Sequence, residues 1–252
     1  MMDVFLQNFH DIWTLSLLLA ACIALPAGII QGYAGFGGAL FAVPFFALLF
    51  GPVPGFSIVV ILMLFGQSHV FSKAIVKANW REVAPLVGPS MICITLGLLF
   101  FVSAEPSFIR RGMGIFILFI TVFMIFGWRY NGKRRVLVGV CTGSVAGGIT
   151  GSFGVPAFPL SAIYFHSSAS PPEIIRANVL AALACNLVVG IMGLSLQGVY
   201  TVAMVLQALF VGPVFIMGIY MGRYFFGLAP TAWYRIVTYG ILICAALILL
   251  SS

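Results

Sequence analysis

Charge is what this chain most lacks. Of its 252 residues only 7% are Asp, Glu, Lys or Arg, while 62% are hydrophobic. A soluble domain carries about 25% charged residues and cannot solvate its surface with so few. The shortage excludes a soluble enzyme, a nucleic-acid-binding module and a single-pass receptor. Carboxylates are scarcer still. Asp3, Asp11, Glu82, Glu105 and Glu173 all fall in expected loops or at segment ends, and none is left for the interior of an apolar run. Cation transporters and proton pumps usually keep an intramembrane Asp or Glu as ligand or relay, so this absence favours an anionic or neutral substrate. It also removes the acid–base pair that an intramembrane hydrolase needs. Paired cysteines are lacking too. Cys22, Cys93, Cys141, Cys185 and Cys244 lie singly in apolar stretches with no CxxC or CxxH spacing, which excludes a secreted disulfide scaffold and reads as small buried hydrophobes. No metal or other cofactor is expected, and no nucleic-acid partner. The residues before the first apolar run hold Asp3 and Asp11 but no Lys or Arg, so no cleavable signal peptide is expected.

What is present is hydrophobic length. The mean hydropathy is +1.18, and at about 20 residues per crossing the chain has room for roughly eight to ten segments and little else. The expected class is an all-α polytopic membrane protein in a lipid bilayer. Five apolar runs fall in each half: Ile12–Tyr33, Ala39–Phe50, Phe56–Val76, Val83–Val102 and Phe108–Trp128, then Val136–Ile149, Val155–Phe165, Ile174–Leu196, Val199–Gly222 and Ala232–Leu250. Residues 1–128 form an N-terminal transmembrane repeat, 129–135 a basic cytoplasmic connector, and 136–252 a C-terminal transmembrane repeat. Equal halves joined by a charged hinge suggest internal duplication. Gly32, Gly35 and Gly38 fall on Gly148, Gly151 and Gly154 at one constant offset. Gly88-Pro89 and Arg111 fall on Gly212-Pro213 and Arg235 at a slightly larger one.

Three runs, Ala39–Phe50, Val136–Ile149 and Val155–Phe165, are too short for a bilayer about 30 Å thick. Glycines flank them at Gly32–Gly38 and Gly147–Gly154, which predicts broken or re-entrant elements. Such backbone survives at membrane depth only where protein buries it or a wet cavity meets it. If each short pair returns to its starting side, the repeats are inverted. Ten of the twelve basic residues then share one side with only Arg110 and Arg111 opposite, as the positive-inside rule prefers. Both termini are then non-cytoplasmic.

A helix that starts inside the bilayer offers unpaired N–H groups and the positive end of its dipole, which together favour an anion. Gly35, Gly37, Gly38, Gly151 and Gly154 are the candidate backbone donors. The competing role for these glycines is close helix packing. Gln67, His69, Arg176 and Asn178 are candidate side-chain contacts; His69 equally fits a satisfied structural group, and Arg176 a cation snorkelling to the interface. Gln31, Thr150 and Ser152 are further donors beside the breaks, and Phe36 and Phe153 are candidate gates.

The stretch Gly35-Phe36-Gly37-Gly38 followed by Pro44, its degenerate repeat at Gly151–Pro159, and two hydrophobic halves around a basic loop resemble the TauE/SafE sulfite exporter family. The resemblance covers nearly the whole chain. Ala39 stands where a third consecutive glycine is common, and Phe153 and Val155 stand where glycines are expected. The resemblance implies a permease for small sulfur-containing anions such as sulfite, sulfoacetate or related organosulfonates, in a bacterial inner membrane. The expected function is transport by alternating access rather than catalysis. A passive anion channel, a membrane enzyme using Cys141 or Cys185, and a non-catalytic membrane partner subunit are the alternatives.

Overall fold

The computed structural model describes residues 15–126, 136–167, 170–225 and 231–251, and all ten elements of regular structure among them are helices. The connector 129–135, Asp3 and Asp11 lie outside the described residues. In chain order the helices are α1 (Leu15–Ala34), α2 (Gly38–Phe50), α3 (Pro52–Lys77), α4 (Trp80–Ser103) and α5 (Pro106–Phe126). They continue as α6 (Val136–Phe153), α7 (Phe158–His166), α8 (Pro172–Leu196), α9 (Val202–Phe225) and α10 (Thr231–Ser251). Six of them are long and apolar enough to cross a membrane, with a seventh if α3 counts as one bent span. Large apolar side chains stand on the outside, with Leu96 at 62% and Leu209 at 50% exposure. In water such a surface would aggregate; in lipid it is the solvated face.

Small residues decide the packing. Lipid removes the hydrophobic drive between helices, so backbones associate where they approach closely enough for dispersion to count. Gly28 and Gly32 of α1 lie against the backbone at Phe215, Gly218 and Ile219 of α9. Gly143, Gly147 and Gly151 of α6 lie in the same way against Leu86, Ser90 and Ile94 of α4. Positions rise together in both pairs, so α1 runs parallel to α9 and α6 runs parallel to α4. A residue broader than glycine would overlap a backbone carbonyl at each of these places.

The helix ends sort the charges. Lys77 closes α3, Arg81 opens α4, Arg176 stands in the first turns of α8, and Arg223 stands near the end of α9, all at one face of the bundle. That face is braced where Asn178 Oδ1 accepts the Asn79 N–H at 2.8 Å and Asn178 Nδ2 donates to Glu82 Oε2 at 2.9 Å. Arg110 and Arg111 open α5 at the opposite face. Because α1 is parallel to α9 it starts at that opposite face, and α10 packs on α5 with Leu250 beside Gly114.

Two expectations need correction. The glycine-rich stretch 147–151 is not a break: α6 continues through it to Phe153, because Gly147 and Gly151 are held against α4 and a glycine so packed keeps helical geometry. The break lies at 154–157. The cysteines are not uniformly buried either; Cys22, Cys141 and Cys244 are exposed on the outer surface, where a thiol is as well tolerated by lipid as by a core.

Candidate functional site

Both breaks are built by one rule. At the end of α1, Gly35 takes φ 80°, in the left-handed region that favours glycine, and its N–H donates to the Gln31 carbonyl at 2.9 Å. At the end of α6, Gly154 takes φ 63° and its N–H donates to the Thr150 carbonyl at 3.0 Å. The residue that starts each turn then caps the far side of the break. The Gly38 N–H donates to Gln31 Oε1 at 2.9 Å, and the Ala157 N–H donates to Thr150 Oγ1 at 3.1 Å. Each cap spans seven residues. Gln31 also donates from Nε2 to the Gly35 carbonyl at 3.0 Å, so one amide holds both ends of the first break. Gly35 is therefore matched in role by Gly154. The alignment of Gly35 with Gly151 read from sequence is displaced by three residues, because α6 runs on past its glycines.

The two breaks face each other. Phe36 of the first and Phe158 of the second meet with ring centroids 4.9 Å apart, tilted at 50°. Between them lies an inner cavity of about 100 Å³. Its wall includes Gln31, Gly37 and Ala39 from the first half and Thr150, Pro156, Ala157 and Ser161 from the second, with Gln67 and Asn186 contributed by α3 and α8. A wider vestibule of about 560 Å³ adjoins it, lined by Arg176, Arg223, His166, Tyr33 and Gly35. Gln31, Phe36, Gln67 and Val179 touch both spaces and form the partition between them. No Asp or Glu lines either space among the described residues. Glu82 instead holds Asn178 and Ser170, and Glu105 accepts a bond from Ser107.

The sequence-predicted residues distribute unevenly around these spaces. Gly37 lines the inner cavity, Gly35 the vestibule, and Gln67 both. Arg176 is exposed and lines the vestibule, its Nη2 3.5 Å from where a Cβ on Gly35 would stand. Gly38, Gly151 and Gly154 line neither space. Gly38 seats α2 on Gln31, Gly151 seats α6 on α4, and Gly154 is enclosed by Phe101, Met113 and Phe56. Asn178 is fully buried in the brace between α8 and α4 and reaches neither space. The side chain of His69 lies outside the described residues. Phe153, a candidate gate, packs among Phe100, Phe108 and Phe116 and lines neither space, whereas Phe158 meets Phe36.

Sequence reading gave Phe158, Ser161, His166 and Arg223 no part in the site. The spacing of seven from Thr150 to Ala157, equal to that from Gln31 to Gly38, is the signal that locates the second break and hence Phe158.

The family model described as Sulfite exporter TauE/SafE matches residues 19–249. No curated protein and no solved structure matches the chain. With a match over nearly its whole length and at least six apolar spans, the chain belongs to the sulfite exporter TauE/SafE family of multi-pass membrane transporters.

Proposed function

We propose that this permease moves a small sulfur-containing anion, such as sulfite, sulfoacetate or a related organosulfonate, by alternating access through the inner cavity. The observation that carries the reading is the position of that cavity, lying between two helix breaks and joined to a vestibule that bears Arg176 and Arg223 but no carboxylate among the described residues. The vestibule cations raise the local anion concentration, an effect that salt weakens. An anion that passes Phe36 meets the start of α2, where the first-turn amides have no intrahelical acceptor and the helix dipole is positive. Gly37 keeps that approach free of side chain.

The two halves act as inverted repeats in this reading. Its support is the packing: α1 against α9 and α6 against α4 are equivalent pairs running in opposite directions, and the two capped breaks share one design. Repeats of this kind exchange access by rocking around a central site. The basic face would be cytoplasmic in a bacterial inner membrane, as the positive-inside rule prefers, with the vestibule open to the cytoplasm and both chain ends on the other side.

Reconstituted vesicles test the site. Wild-type protein should carry sulfite or a small sulfonate with saturable counterflow, and Gly37→Leu should abolish carriage while inserting normally. Unaltered carriage by that variant would remove the inner cavity from the pathway. Flux that never saturates would favour a channel.

A further inference from the structure

The vestibule and the inner cavity differ in one property that bears on which ions can pass. Arg176 and Arg223 line the first. No ionisable side chain lines the second among the described residues; its polar groups are the amides and hydroxyls of Gln31, Gln67, Thr150, Ser161 and Asn186, and the rest of its wall is apolar or backbone.

Most hydrogen-bond donors at the two breaks are already committed. Gln31 uses its Nε2 on Gly35 and its Oε1 on Gly38. The Gly154 and Ala157 N–H groups both go to Thr150. Pro156 and Pro159 have no N–H to give. What remains is the Ala39 and Leu40 N–H groups in the first turn of α2, the hydroxyls of Thr150 and Ser161, and the amides of Gln67 and Asn186.

Charge then decides what can enter. The cost of moving an ion out of water grows with the square of its charge, whereas its attraction to neutral dipoles grows only in proportion to it. A few uncharged donors can offset that cost for one negative charge. For two charges the cost quadruples while the return doubles, and no cation stands in the wall to close the gap. The volume sets the scale. A dry cavity of about 150 Å³ holds benzene, so about 100 Å³ suits an ion of only a few heavy atoms.

We infer that the cavity passes small monoanions and rejects dianions: sulfite crosses as its protonated, singly charged form, and sulfate stops at the vestibule. This rests on the permease reading above and narrows it: sulfoacetate, a sulfonate and a carboxylate both ionised at neutral pH, is excluded along with sulfate, which leaves sulfite and singly charged sulfonates.

Purified wild-type protein in vesicles, with internal pH matched to external pH, provides the test. Three ions are compared: methanesulfonate, singly charged throughout; sulfate, doubly charged throughout; and sulfite, which changes from one form to the other near neutrality. Methanesulfonate flux should be flat with pH, and sulfate flux should be at background. Sulfite flux should fall about tenfold per pH unit on the alkaline side of its ionisation, in step with the protonated fraction. Sulfate carried as fast as methanesulfonate, or sulfite flux unaltered across its ionisation, would overturn the charge rule and leave the permease reading standing. Failure of all three ions to move would overturn the permease reading and this inference with it.

Discussion

Two glycines one residue apart, Gly147 and Gly148, show how far identity alone can mislead. A Cβ on Gly147 would overlap the Ser90 carbonyl, whereas a Cβ on Gly148 would meet nothing within 4 Å. Gly147→Ala should lower the melting temperature in detergent, with an overpacking cost of about 1–3 kcal/mol. Gly148→Ala should be neutral or stabilising by up to about 1 kcal/mol through helix propensity. Equal melting points for the two variants would contradict the packing of α6 on α4. Tyr200, between α8 and α9, offers a second residue-level test. Its hydroxyl is buried without a hydrogen-bond partner, and burial pushes its pKa up from 10.0 to about 12. The folded chain therefore holds this proton more tightly than the unfolded chain. The stability linked to it is intact below the unfolded pKa and is lost as pH rises through the folded value. Tyr200→Phe removes an unsatisfied polar group, so it should raise stability by about 1 kcal/mol at neutral pH. It should also remove part of the alkaline loss, as read from melting curves taken across that range.

At the scale of elements, the two helix pairs α1–α2 and α6–α7 flank the inner cavity, and their breaks depend on single side chains. Gln31→Leu strips both side-chain hydrogen bonds from the first break, and Thr150→Val strips the one side-chain cap from the second. Each lost cap should cost about 1 kcal/mol, with Gln31→Leu the costlier of the two. Hydrogen exchange of the Gly38 and Ala157 amides would read the loosening locally. Phe36 belongs to the partition between the two spaces and leans on Phe158. Phe36→Ala should connect them and convert saturable counterflow into leak; retained saturation would mean that the partition does not gate. The elements also show what sequence reading could and could not reach. Ten apolar runs correspond to ten helices, since run length and breakers are local properties. The second break was misplaced by several residues because Gly147, Gly148 and Gly151 look like helix breakers in isolation. Only contact with Ser90 and Ile94 of α4 makes two of them ordinary helical positions.

For the whole molecule, the separation of charge is the feature with the largest expected effect on rate. Arg176→Gln combined with Arg223→Gln should slow anion uptake several-fold at low ionic strength, and the difference from wild type should fade as salt shortens the screening length below about 10 Å. A deficit that persists undiminished at high salt would instead mean that one of these arginines binds the ion directly. Tags placed at the two ends of the chain should react with an impermeant reagent from the same side of the membrane, opposite the vestibule. Labelling of the two ends from opposite sides would rule out the inverted arrangement.

The sequence by itself determined the class, the apolar runs that the described helices follow, and the family, because each depends on how many charges and apolar residues there are and on their order. It also marked the first break, where Gly35 and Gly37 interrupt the helix within a few residues of Gln31. Tertiary structure alone decided which glycines pack and which open, that Phe158 rather than Phe153 faces Phe36, and that Asn178 braces the basic face while Arg176 lines the vestibule. These outcomes depend on which residue lies opposite across a helix pair. That distance is fixed by backbone contacts between segments far apart in the chain, and no local pattern encodes it.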